Sequence, residues 1–246
     1  MTSRVEVSAR SDTGPVRQIN EDSYLAQDPV FVVADGMGGH ARGDAASRTA
    51  IESLARTLPA GSTPTPEEVI TAIDEANAAV RALSDAEETG AAVAGTTLTG
   101  VVRVRVPERA AEEWMVVNVG DSRVYAWDER ELRQLTSDHS AVQELLDAGL
   151  ITPEQAAVHP ERNVITRALG AEDFVDTDSE LLPLNDGRTF LVCSDGLTRE
   201  LSDETIAELL AGDPADPAAV LVEAAVAAGG HDNVTVLVVR PIADRV

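Results

Sequence analysis

Strands that come in groups, with turns between them too short for crossover helices, and helices that arrive in pairs predict an α+β fold with helices packed on antiparallel sheets. Val5-Glu6-Val7-Ser8-Ala9 alternates as a half-buried strand should, whereas residues 30–34 (VFVVA) form a continuous apolar run, the mark of a strand buried on both faces. After Gly43, residues Ala46, Thr49, Ala50, Ile51 and Leu54 recur at helical spacing, and Pro66-Glu67-Glu68 opens a second helix carrying Val69, Ile73, Ala76, Val80 and Leu83. Residues 96–106, 114–119, 123–127 and 132–135 are apolar stretches divided by close turns, which predicts an antiparallel meander. Residues 140–163 carry a short helical pattern broken by Gly149, Pro153 and Pro160 and read as a flap outside the main sheets. Residues 190–193 are strand-like, Ser202 caps a helix to Leu210 with Glu204 near its start, Pro217 opens another to Ala228, and residues 234–239 close the sheet. With no repeat or linker, residues 1–246 are expected to form a single domain.

Composition narrows the function. At 43% hydrophobic over 246 residues the chain can bury a core. Its basic residues are 19 arginines and no lysine, set against 43 acidic residues for a net charge of −24, which excludes nucleic acid and anionic membrane as natural partners. An anionic substrate meets the same repulsion unless a local cationic site receives it. The single cysteine excludes an internal disulfide framework and suits the cytosol. No apolar stretch approaches the roughly 18 residues of a membrane span, and residues 1–4 lead into none, so neither a signal peptide nor an anchor is expected. A cytoplasmic, monomeric protein is expected.

Acidic residues recur beside glycines and at the ends of apolar runs: Glu21-Asp22 after Arg17, Asp35-Gly36, Gly120-Asp121, Asp195-Gly196, and Asp232 in Gly-Gly-His-Asp-Asn. Two carboxylates about 4 Å apart repel by about 4 kcal/mol at an effective dielectric near 20, so a fold that gathers them needs a multivalent cation. Hard oxygen ligands suit Mg²⁺ or Mn²⁺, and no close His/Cys set points to structural zinc. Taken singly, an Asp-Gly is more often a turn than a ligand. Asp35, Asp121 and Asp195, however, each follow a strand-like run, where a rigid element can aim them.

Eight segments in order, namely Arg17-Gln-Ile-Asn-Glu21-Asp22, VVADGMGGH, Gly95-Thr96-Thr97, NVGDSRVY, LTSDHS, ITRALG, LVCSDGLT and GGHDNVTVLVV, resemble the motif series of the bacterial metal-dependent type 2C serine/threonine protein phosphatases. The resemblance runs from about Arg10 to Val239. It implies a central antiparallel β-sandwich flanked by helix pairs, four layers in all, with a two-metal centre at one end. Residue by residue, Asp35 resembles the carboxylate bridging both ions; Glu21 and the Gly36 carbonyl complete one ion's protein ligands, and Asp195 and Asp232 hold the other. Asp22 matches an acid that orients water, Asp121 with Asp195 matches a weaker third-metal position, and Arg17 resembles the phosphate-holding arginine, whose planar fork grips two oxygens. The implied activity is hydrolysis of phosphoserine and phosphothreonine in proteins, opposing serine/threonine kinases. The resemblance implies two Mn²⁺ or Mg²⁺ ions, which would activate water for direct attack on phosphorus without a phosphoenzyme.

The chain departs from that series in places. Met37 stands where many members carry a histidine able to protonate the leaving group, which leaves the general acid unassigned; His40 is the nearest substitute, with a loop-fixing role the more ordinary one for it. Asn163 stands where some bacterial relatives place a serine near the third metal. Rival readings also exist. Residues 193–199 fit Cys-x-x-Gly-x-x-Arg, the loop of cysteine-dependent phosphatases, but Asp195 and Glu200 would repel a phosphate dianion and nothing cationic precedes Cys193 to lower its pKa. Residues 36–41 fit the dinucleotide fingerprint G-x-G-x-x-A, though Asp35 presents the wrong charge to a pyrophosphate. A non-catalytic phosphoprotein-binding module is the third, disfavoured because binding alone has no need of Arg17, Glu21, Asp35, Asp195 and Asp232 together. His139 and His159 flank the flap, Ser122 and Thr96-Thr97 read as supports, and Trp114 and Trp127 read as sheet packing.

Overall fold

A computed structural model describes residues 4–38, 42–85, 94–109, 111–184 and 187–242. Eleven strands and seven helices follow in the order β1 (Arg4–Asp12), β2 (Asp22–Gln27), β3 (Val30–Met37), α1 (Arg42–Thr57), α2 (Pro66–Asp85), β4 (Gly95–Thr96), β5 (Leu98–Val106), β6 (Ala111–Val119), β7 (Arg123–Trp127), β8 (Leu132–Gln134), α3 (Ala141–Asp147), α4 (Pro153–Ala157), β9 (Asp178–Pro183), β10 (Thr189–Cys193), α5 (Asp195–Thr198), α6 (Asp203–Ala211), α7 (Pro217–Ala228) and β11 (Val234–Ile242). One sheet runs β1-β11-β10-β7-β8 and the other β2-β3-β5-β6-β9, with β4 beside β3. Every pairing is antiparallel.

The period-2 alternation of the strands sorts side chains into three cores. Phe31, Val33, Val116, Val124, Phe190, Val192, Leu237 and Val239 face the space between the sheets. Val30, Val32 and Ala34 face the opposite way, onto Ala46, Ala50 and Leu54 of α1 and Val69, Ile73 and Val80 of α2. Leu191, Cys193, Val234, Val236 and Val238 pack on Ile206 and Leu210 of α6 and Leu221, Val222 and Ala225 of α7. This explains VFVVA: a strand with helices on one face and a second sheet on the other has no polar side. The layers are thus α-β-β-α, as expected. Trp114 anchors the middle, its ring 6.1 Å from that of Phe31 and edge-on to Phe190 at 5.4 Å; emptying such a site costs about 3–5 kcal/mol.

Local chemistry sets the helix starts. Before α2 the Thr65 hydroxyl accepts the Glu68 N–H at 3.3 Å while the Glu68 carboxylate accepts the Thr65 N–H at 2.8 Å, and Pro66 needs no N–H partner in the first turn. Ser202 accepts the Thr205 N–H to start α6.

The expected meander does not form. β5 and β6 make a hairpin in one sheet, but β7 leaves it to pair with β10 in the other, Arg123 opposite Cys193 through Trp127 opposite Thr189. The crossover is made at Gly120, whose φ is +105° and where a Cβ would lie 2.5 Å from Thr97 Cγ2. Short turns fit a sheet change as well as a hairpin, so loop length alone could not separate the two. The change places Asp121 between the sheets' ends rather than at a hairpin tip. Three elements without clear periodicity, β2, β9 and α5, were not expected from the sequence.

Candidate metal centre

Asp22 and Asp35 are direct cross-strand partners on β2 and β3. By alternation after Phe31 and Val33, Asp35 faces the space between the sheets, where the sandwich core ends. Like charges opposed in this way are destabilising. Asp195 opens α5 just after β10, Asp232 lies two residues before β11, and Asp121 sits in the crossover after β6. All five therefore meet at one end of the sandwich.

Hydroxyl and amide groups hold this end together. The Asp35 N–H donates to Thr97 Oγ1 at 2.9 Å, while the Thr97 N–H and the Thr96 hydroxyl both donate to the Asp35 carbonyl at 2.9 Å. Thr97 Oγ1 in turn lies 2.8 Å from Ser122 Oγ, so the expected supports Thr96, Thr97 and Ser122 link Asp35 to the crossover that carries Asp121. The Ser194 hydroxyl donates to Asp22 Oδ2 at 2.8 Å. Asn233, which sequence reasoning passed over, accepts the Glu21 N–H at 2.8 Å and donates to the Thr13 and Ile19 carbonyls, each at 3.0 Å. It ties the loop bearing Arg17 and Glu21 to β11. A polar residue standing directly before the apolar run 234–239 was the available signal.

Glu21 and Gly36 meet beneath α1. The Gly36 N–H donates to the Glu21 carbonyl at 3.1 Å, and the Ser47 hydroxyl donates to the same carbonyl at 2.6 Å. Gly43 closes over them: a Cβ there would lie 2.5 Å from Glu21 Oε1 and 2.6 Å from the Gly36 carbonyl oxygen. These two oxygens thus face one small space that only a glycine leaves open.

Burial and mutual repulsion push the carboxyl groups upward. Asp22 is raised to about 6 and Asp195 to about 8, each chiefly by burial. Asp35 lies well above the ordinary range, from burial and then the charges of Asp22, Asp195, Asp121 and Asp232; Asp121 is raised chiefly by burial. Glu21 Oε1, Asp22 Oδ1, Asp121 Oδ1 and Asp195 Oδ1 are buried without a hydrogen-bond partner among the described residues. Buried lone pairs left without donors are costly, and a hard cation is the group that this oxygen-only set fits.

In the structure the cations present are guanidinium groups. Arg17 Nη2 donates to Asp232 Oδ2 at 2.8 Å, and Arg199 donates to Asp195 Oδ2 and, at 3.1 Å, to Asp232 Oδ2. Among the described residues no three Asp, Glu, His or Cys side chains are drawn into a closed ligand set. In the sequence Arg199 stands out only as the end of the Cys-x-x-Gly-x-x-Arg segment; its spacing of four from Asp195, one helical turn, is the clue to their contact.

The centre opens into a cleft of about 840 Å³ lined by Arg17, Asp121, Asp195, Asp232 and, from residues 140–163, Val142, Leu146, Pro153, Ala156 and Asn163. The flap thus forms a wall of the cleft. His139 is buried and structural: its Nδ1 accepts the Gly120 N–H at 3.1 Å, and its Nε2 lies 3.2 Å from Asp178. Met37 pairs with Gly95 of β4 and offers a thioether with no proton to give. His40 lies outside the described residues, as do Glu87 and Glu88. Cys193 is fully buried on the helix-facing side of β10, its thiol pushed up to about 12 by burial, so it cannot serve as a thiolate nucleophile. The dinucleotide reading fails as well, because β3 lies between antiparallel neighbours rather than in a parallel βαβ unit.

A four-layered sandwich ending in an oxygen-rich acidic cleft, with guanidinium groups at the mouth, is the arrangement that the resemblance to metal-dependent phosphatases implies. Comparison with known proteins agrees. The profile of the family described as Protein phosphatase 2C matches residues 16–213. The serine/threonine phosphatase Stp of Listeria monocytogenes is 38% identical over 243 residues, covering 94% of this chain and 94% of that protein. The serine/threonine protein phosphatase PstP of Mycobacterium tuberculosis is 40% identical over 239 residues, which are 94% of this chain and 44% of PstP. The crystal structure of the PPM Ser-Thr phosphatase MsPP from Mycobacterium smegmatis, in complex with cacodylate, aligns with a TM-score of 0.84 at 37% identity over 98% of this chain and 100% of that one. The chain belongs to the protein phosphatase 2C family and is a serine/threonine protein phosphatase of the bacterial type. Neither the cysteine route nor a non-catalytic binding module finds support in these relatives. Among the described residues no helix is long and apolar enough to cross a membrane.

Proposed function

We propose that this cleft hydrolyses phosphoserine and phosphothreonine in proteins with two divalent ions, Mn²⁺ or Mg²⁺, held by this chain's own oxygens. The catalytic domain of PstP has been crystallised in complex with two manganese ions, and it aligns with this chain at 38% identity and a TM-score of 0.81. Asp35 would be shared by both ions, Glu21 and the Gly36 carbonyl would serve one, and Asp195 and Asp232 the other. The observation that carries the reading is the set of unpartnered buried carboxylate oxygens on Glu21, Asp22, Asp121 and Asp195 at one end of the sandwich. When bound, the ions supply the charge that offsets the phosphoryl oxygens and the acidity that activates a water.

The remaining work falls to side chains. Arg17, half-exposed at the mouth, presents a planar fork suited to two phosphoryl oxygens. Asp22, fixed through Oδ2 by Ser194, keeps Oδ1 open to accept a hydrogen bond from the attacking water. Asp121 and Asp195 would take a third ion, with Asn163 across the same cleft. Phosphorylated proteins, the products of serine/threonine kinases, are the partners that this chemistry fits. In phosphopeptide assays we expect phosphate release with Mn²⁺, loss of release in EDTA, and retained turnover in Cys193→Ser. Release that survives EDTA, or that vanishes with Cys193, would overturn the proposal.

A further inference from the structure

Arg199 occupies a position that the reaction as proposed does not use. It lies one turn after Asp195 at the end of α5, and its guanidinium spans the two carboxylates assigned to one ion, Asp195 Oδ2 with Nη2 and Asp232 Oδ2 with Nη1 at 3.1 Å. Asp232 has little left to offer, since its Oδ1 accepts the Asn233 N–H at 2.9 Å and its Oδ2 also receives Arg17 Nη2 at 2.8 Å. Arg17 touches only one of the pair, whereas Arg199 touches both. On the other side of the centre, Glu21 Oε1 has no partner among the described residues. The same oxygens cannot give their full charge to a guanidinium and to a divalent ion.

We infer that Arg199 is a built-in competitor for the divalent ion at Asp195 and Asp232, a positioning residue that keeps the two carboxylates apart from metal until the ion displaces its guanidinium. The inference rests on the proposed assignment of Asp195 and Asp232 as ligands. Within the centre, the Asp195 and Asp232 side exchanges one positive group for another, while Glu21 Oε1 has no ion pair to give up among the described residues. Displacement breaks two partly exposed ion pairs, each worth a few-fold in affinity, so removing the guanidinium should tighten the ion by about tenfold.

Calorimetric titration of EDTA-stripped protein with Mn²⁺ tests this without reference to turnover. Arg199→Ala and Arg199→Gln should both bind Mn²⁺ about tenfold tighter than the parent, and Arg199→Lys, which keeps the charge but cannot fork across both carboxylates, should fall between. The α5 turn should survive truncation, because the Arg199 backbone N–H donates to the Asp195 carbonyl at 2.9 Å regardless of the side chain; circular dichroism checks it, and the glutamine variant retains the side chain's length. Equal or weaker Mn²⁺ binding in both neutral variants overturns the inference while leaving the metal centre standing. No Mn²⁺ binding by the parent or by any variant overturns the metal centre and the inference together.

Discussion

On the side of the cleft built by β2, β3 and α1, oxygen donors are brought together by close backbone packing; on the side built by β10, α5 and β11 they are held by guanidinium groups. Glu21 Oε1 and the Gly36 carbonyl share a space that Gly43 keeps open, with Ser47 fixing the Glu21 backbone from α1. Asp195 and Asp232 are bridged by Arg199, with Arg17 on Asp232. The first arrangement has little room for an added atom, because beside the Glu21 carboxylate its neighbours are the Gly36 main chain. The second can exchange partners, because its neighbours are the ends of long side chains. Asp35 feels both, its carboxyl raised by burial and then by the charges of Asp22, Asp195, Asp121 and Asp232.

That position makes Asp35→Asn the most damaging change. It removes the charge both sides would share while leaving the Thr97 hydrogen bonds to the Asp35 backbone intact. Turnover of a phosphopeptide should fall by about 10²–10³-fold, the range for losing a group that stabilises developing charge. Kinetics at saturating Mn²⁺ would measure it, and a fall of less than tenfold would deny Asp35 its shared role.

Gly43→Ala tests the packed side alone. Its Cβ would arrive 2.5 Å from Glu21 Oε1 and 2.6 Å from the Gly36 carbonyl, so one of the two must move. Overpacking of this kind costs about 1–3 kcal/mol of stability. Turnover should drop by about 10–100-fold, as when the support of a metal ligand is lost. A variant with wild-type Mn²⁺ affinity and turnover would show that the two oxygens do not act as a pair.

The contrast also marks how far the sequence could be read. The layers were legible because VFVVA and the run 234–239 lack a polar face, which is what two-sided burial requires, and because Pro66 and Ser202 announce their helices. Asp35, Asp121 and Asp195 were legible because each stands beside a glycine after an apolar run, whereas Glu21, Asp22 and Asp232 stand out through the motif series. The sheet change at Gly120 was not, since a short turn is compatible with either a hairpin or a crossover, and only packing against Thr97 decides it. Arg199 was overlooked for a similar reason. An arginine four residues beyond an aspartate is common on helix surfaces, and its reach to Asp232 depends on how α5 and β11 come together in space. Asn233 escaped notice because its partners, Thr13, Ile19 and Glu21, lie more than 200 residues away in the chain.

The smallest expected effect is thermodynamic and comes from the acids themselves. Asp22 at about 6, Asp195 at about 8 and Asp35 well above the ordinary range bind their protons more tightly when folded than in the unfolded chain, where each titrates near 3.8. Between those limits the folded state holds more protons, so stability falls as pH rises through that window. The carboxylates with lowered values, such as Asp178 and Glu200, act in the opposite sense but below their ordinary range, and so contribute little slope above pH 5. In EDTA the melting temperature should therefore decline from pH 5 to pH 8, and the decline should be shallower in Asp35→Asn, which removes one member of the repelling set. Saturating Mn²⁺ should raise the melting temperature most at the alkaline end, where the carboxylates are ionised and the ion meets no competing proton. Thermal unfolding at several pH values, with and without Mn²⁺, measures both slopes. A parent protein whose EDTA profile is flat, or matches that of Asp35→Asn, would show that the raised acids do not govern the stability of this end of the sandwich.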